Sequence, residues 1–202
     1  MLDLKFKDEH SPILNNRQWN SKWLLRSGYA VCLWSIAYMI PHVYWALGGT
    51  AGLSLLKPSV SVSTSFKLIN WVALPFFIVP TLAGLGFIYF HKSKIIRSLL
   101  LFVSVLGCSI ATSHGIYGIV YRGLQITNVI GLGNGTFHIH EDAYVLWDMV
   151  IFEPWFLLEG ILLATVGWFF LGEARTRKIW LTTCILGIIV GLTTGIMGVR
   201  FA

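Results

Sequence analysis

The sequence predicts an all-α integral membrane protein, a bundle of five transmembrane helices with its N-terminus inside and its C-terminus outside. Composition is the first reason. Of 202 residues, 55% are hydrophobic and only 12% charged, and the mean hydropathy is +0.71, well outside the range of soluble domains. The second is length. Five predominantly apolar stretches, at 27–49, 70–90, 98–121, 144–172 and 179–199, each reach the ~20 residues that a helix needs to cross ~30 Å of hydrocarbon. Each must be helical, because irregular backbone facing lipid leaves peptide groups unpaired.

The third reason is where the basic residues fall. Lys5, Lys7, Arg17, Lys22 and Arg26 precede the first stretch, Lys92, Lys94 and Arg97 separate the second and third, and Arg175, Arg177 and Lys178 separate the fourth and fifth. The other side holds Lys57, Lys67, Arg122 and Arg200. This alternation is the positive-inside pattern and puts the N-terminus inside and the C-terminus outside. It also explains the net charge of +6 as a surface against anionic lipid, which argues against a nucleic-acid partner.

The layout is therefore a cytoplasmic or interfacial segment, 1–26, followed by a single transmembrane domain, 27–199. The first segment is polar and charged, unlike a cleavable signal peptide. Cys32, Cys108 and Cys184 stand singly in three different spans and read as small apolar packers. Gly187, Gly191 and Gly195 recur every fourth residue of span five, and Ser104, Gly107, Ala111, His114 and Gly118 share one face of span three. Both stripes suit close helix packing within the bundle, and the glycine stripe also suits a homo-oligomer interface.

Ionisable residues within a span cost several kcal/mol unless paired or hydrated, so they mark candidate sites. Span four, entered near Trp147, carries Asp148 at its outer end, Glu153 about 9 Å in from Trp147 and Glu159 near mid-membrane. His42 and His114 fall about 10 Å from the outer ends of spans one and three, at the level of Glu153. Glu153, His42 and His114 thus form a candidate acid–base cluster. No Lys or Arg lies within the five stretches to pair with the acids.

Pro41, Pro75 and Pro154 fall in the same outer half, where three kinks would open a vestibule lined by free carbonyls. Trp34, Tyr38 and Trp45 follow His42's face of span one at helical spacing and, with Asp148, Trp155 and Glu159, would line it. An apolar pocket with a few converging polar groups suits a lipid-like or small apolar ligand, bound or transformed.

His138-Ile139-His140-Glu141-Asp142 in the last outer loop is a weak candidate for zinc or copper, because His-x-His can chelate but no cysteine or helical histidine pair supports it. No other cofactor is indicated. Two further classes remain open: a proton or metal-ion carrier using the loop histidines and Glu159, and a structural or immunity-type accessory protein whose buried acids hold helices together.

Two segments carry a resemblance. Pro41-His42-Val43-Tyr44-Trp45-Ala46-Leu47-Gly48-Gly49, and Trp147-Asp148 with Phe152-Glu153-Pro154-Trp155-Phe156-Leu157-Leu158, together resemble a family of small bacterial multipass membrane proteins of unknown function. The family is marked by His-x-Tyr-Trp-x-x-Gly-Gly at the end of the first helix and an Asp-then-Pro fourth helix. The resemblance implies the cytoplasmic (inner) membrane of a bacterial cell and no particular activity.

Overall fold

The computed structural model describes residues 12–52, 63–90, 92–127, 129 and 145–197, the first nine of these as backbone only. Among the described residues every regular element is helical: α1 (Pro12–Ala46), α2 (Thr64–Tyr89), α3 (Lys94–Ile126), α4 (Val145–Phe170) and α5 (Ala174–Ile196). All five are long and apolar enough to span a bilayer. α1 runs without a break across residues 26 and 27, and its membrane-spanning part is Ser21–Ala46. α3 extends to Ile126, which brings Arg122 into the helix.

The ends are set by local chemistry. Ser63 caps α2, its hydroxyl accepting from the Phe66 N–H at 3.1 Å. α1 ends where Gly48 takes φ +97°. The Gly49 N–H then reaches the Tyr44 carbonyl at 2.9 Å and the Gly48 N–H reaches that of Trp45 at 3.0 Å. These two bonds make the Schellman closure that glycine permits. The Trp45 indole donates to the Ala51 carbonyl at 3.0 Å, and the Tyr44 hydroxyl accepts from the Ala51 N–H at 3.2 Å. The Tyr-Trp-x-x-Gly-Gly motif is thus a device that ends a helix and pins the following turn.

α4 is not uniform. Residues Asp148–Phe152 form a wide π turn, closed by the Glu153 N–H on the Asp148 carbonyl five residues back. The regular helix resumes at Glu153 with Pro154 in its first turn, where the missing amide is tolerated. The expected kink at Pro154 is therefore relieved by a π turn. α1 and α2 continue through Pro41 and Pro75.

Lipid offers helices little hydrophobic reason to associate, so close packing between small residues must hold the bundle. α1 lies against α2, α3 against α4 and α5, and α1 against α4. A Cβ on Gly84 would stand 2.6 Å from the Gly28 carbonyl oxygen, so α1 and α2 meet backbone to backbone. Gly187, Gly191 and Gly195 of α5 face Ser109, Ser113 and Tyr117 of α3. The glycine stripe is thus occupied within the chain. The core of Val31, Phe87, Leu100, Cys108, Leu163, Val166, Trp180 and Cys184 fills the half of the bundle nearer the α2–α3 and α4–α5 turns. All three thiols are buried and free, in keeping with packing.

Candidate functional site between α3 and α4

α3 presents His114, Gly118 and Arg122 at four-residue intervals, one face of the helix. α4 lays its π turn and the start of its regular segment across that face. The Glu153 carboxyl group lies directly over Gly118, and any Cβ at 118 would overlap it. A Cβ at Gly115 would stand 2.6 Å from the Glu153 carbonyl oxygen and 2.7 Å from the Leu157 amide nitrogen. The two glycines thus make a niche for one acid.

Within the niche, Glu153 Oε2 lies 3.6 Å from His114 Nε2, with side-chain exposures of 9% and 28%. Oε2 is buried and has no hydrogen-bond partner among the described residues. Toward the C-terminal end of α3, Arg122 Nε donates to Asp148 Oδ2 at 2.5 Å, and its Nη1 donates to Gln125 Oε1 at 2.8 Å. Asp148 thus has its cation, but Glu153 one turn away meets no Lys or Arg among the described residues. Counting Arg122 with the outer loop hid this pair, whose members are 26 residues apart in the chain.

Histidine 42 is elsewhere. Its Nδ1 meets Asn70 Oδ1 of α2 at 2.8 Å, and Asn70 Nδ2 donates to the Phe66 carbonyl at 2.8 Å. That second bond orients the amide, so His42 donates from Nδ1 and keeps Nε2 as an acceptor. Rings separate the two histidines. Tyr38 stands 5.2 Å from the His42 ring and 5.4 Å from Phe156, and Phe156 is 4.6 Å from His114. The predicted triad therefore divides into His114–Glu153 between α3 and α4, and His42–Asn70 between α1 and α2.

The aromatic residues predicted to line a vestibule pack on one another. Trp155 stacks on Trp34 at 4.0 Å and on Tyr38 at 5.0 Å, and Phe77 meets Tyr38 edge-on at 5.1 Å. Trp34 also donates from Nε1 to the Trp155 carbonyl at 3.1 Å. Where α1, α2 and α4 meet, rings occupy the space in which proline kinks were expected to open a cavity. Trp45 is held by its bond to Ala51.

Glu159 faces α1, accepting from the Ser35 hydroxyl at 2.7 Å with both residues buried. It and Glu153 thus lean on different helices. His138 and His140 lie outside the described residues. Among the described residues no three His, Cys, Asp or Glu side chains gather as a metal site.

A family described as a protein of unknown function, DUF3995, matches residues 33–163, more than half of the chain. The chain belongs to the DUF3995 family. Both segments that carried the resemblance lie inside the matched stretch, as do His42, His114, Asp148, Glu153 and Glu159. α5 lies outside it. Comparison with curated proteins and with solved structures gives no match.

Proposed function

We propose that this DUF3995 protein binds the polar group of an amphipathic, lipid-like molecule at Glu153 and His114, reached from the side through the partly exposed histidine. The observation that carries this reading is the bare Glu153 Oε2. A buried polar atom without a partner costs about 1–3 kcal/mol. Retaining one in a niche cut by two glycines makes sense when a donor is supplied from outside. Carboxyl and imidazole at 3.6 Å can also exchange a proton through a small shift or one bridging group, so acid–base chemistry on the bound molecule is within reach of the same pair. Arg122 and Asp148 would hold the mouth of the site in place.

The test is solvent extraction and mass spectrometry of the purified protein, its Glu153→Gln variant and its His114→Gln variant. A distinct amphipathic species in near-stoichiometric amount, lost in both variants while the melting temperature holds, is the expected result. If all three carry the same lipids as the surrounding membrane, the binding reading fails. If Glu153→Gln melts far lower with its lipids unchanged, the acid is structural.

The same reading places the end bearing Lys22, Arg26, Lys94, Arg97, Arg175, Arg177 and Lys178 in the cytoplasm, and His114 and Glu153 toward the outside, in a bacterial inner membrane. Reporter fusions check it. A fusion after Lys92 is expected to be active as a cytoplasmic enzyme and inactive as a periplasmic one, and a C-terminal fusion the reverse. The opposite pattern would invert the site to the cytoplasmic side.

A further inference from the structure

A second place in the molecule has unmet hydrogen-bonding groups, at the opposite end from Glu153. Arg177 lies in the first turn of α5. Its Nε donates to the Leu171 carbonyl at 2.7 Å, where α4 ends, and its guanidinium carbon stands 5.5 Å from the Trp168 ring centroid. These contacts hold the planar fork in one orientation. Its Nη2 is buried and has no acceptor among the described residues. Three residues on, along the same side of the helix, Trp180 is 7% exposed and its Nε1 is likewise buried without an acceptor.

Both orphans are donors. Around them stand further cations: Arg175 and Lys178 exposed on the same turn, and Arg97, whose guanidinium lies 5.4 Å from the Phe170 ring. Glu173, exposed, is the one acid at this end among the described residues. A set of donors and cations lacking an acceptor fits a group that only accepts, and a fixed guanidinium fork fits the oxygens of a phosphate. The surface below completes the fit. Leu181 and Ile185, four and eight residues beyond Arg177 on the same helical face, are 40% and 48% exposed and apolar. A head group held at Arg177 would lay an acyl chain along them.

We propose that the corner between α4 and α5 binds an anionic phospholipid, its phosphate held by Arg177 and its chain lying along Leu181 and Ile185. The site is separate from the Glu153 niche and does not depend on it. Basic pockets between helices near the membrane surface are a recurrent setting for such recognition.

The experiment uses the full-length protein in nonionic detergent, titrated with dioleoylphosphatidylglycerol or dioleoylphosphatidylcholine and followed by native mass spectrometry and thermal melting. The glycerol lipid is expected to form retained adducts and raise the melting temperature, and the choline lipid to do neither. Arg177→Gln is expected to weaken glycerol-lipid binding about tenfold, a loss of one hydrogen-bonded charge. Arg177→Lys, which keeps the charge but not the fork, should fall between. Equal response of the wild-type protein to both lipids overturns the proposal without recourse to any variant. So does Arg177→Gln binding the glycerol lipid as wild type does. Inorganic phosphate at millimolar concentration producing the same stabilisation would assign the site to a small anion and overturn the lipid reading.

Discussion

Replacing Arg122 with methionine is expected to destabilise the bundle by about 2–3 kcal/mol. Asp148 would be left 7% exposed with its charge uncompensated, and Gln125 would lose its donor. Breaking a buried ion pair from one side costs more than the pair itself contributes, because the remaining charge cannot recover its hydration. The figure belongs at the lower end for such pairs, since the Arg122 side chain keeps 22% exposure. The double variant Arg122→Met, Asp148→Leu is expected to recover most of the loss, because it removes the stranded charge along with its partner. Reversible unfolding in mixed detergent micelles measures both. If the double variant is as unstable as the single one, the stabilising element is the packing of the arginine stem and not the charge pair.

A comparable effect is expected from Gly84→Ala. The added carbon would face the Gly28 carbonyl oxygen at 2.6 Å and the Cys32 amide nitrogen at 3.3 Å. Neither is a side-chain tip that can rotate away, so α1 and α2 must separate, at a cost of about 1–3 kcal/mol. Every contact along that helix pair then loosens, including the bond from His42 to Asn70. Gly123→Ala in α3 is the matched control. Nothing lies within 4 Å of its new carbon, so helix propensity alone should act, a gain of up to about 1 kcal/mol. Melting temperatures that fall equally for the two variants would show that close approach at Gly84 contributes little.

The architecture was legible because hydropathy and charge report directly on the solvent, and lipid allows a spanning segment no form other than a helix among such sequences. The five spans follow from that alone. What the sequence obscured was partnership. Glu153 and His114 were singled out by the cost of their polarity in lipid, and they lie 3.6 Å apart. His42 was grouped with them because depth along a helix can be counted from sequence while azimuth around the bundle cannot. Rings of Tyr38 and Phe156 stand between.

Asn70 and Ser35, the actual partners of His42 and Glu159, are small uncharged residues without a pattern to mark them. Arg122 was legible as a residue but not as a partner, since a loop separates it from Asp148 in the chain. The prolines misled for a physical reason. A proline removes one amide, but whether the helix answers with a kink or with a wider turn depends on what packs beside it. In α4 it is a wide turn that adjoins Pro154.

That wide turn bears on how sequences of this family should be aligned. A π turn takes in one residue more than the α-helical turn it replaces, so it marks where an insertion can sit inside a helix without shortening or breaking it. The two parts of α4 are thus out of phase by one residue. Comparing relatives without a gap within 148–152 would match positions of different facing wherever a relative lacks the extra residue. A single deletion there would turn Asp148 by roughly 100° relative to Glu153, away from Arg122. The length of that short stretch, rather than the identity of the acids, would then sort relatives that can build the Arg122–Asp148 pair from those that cannot.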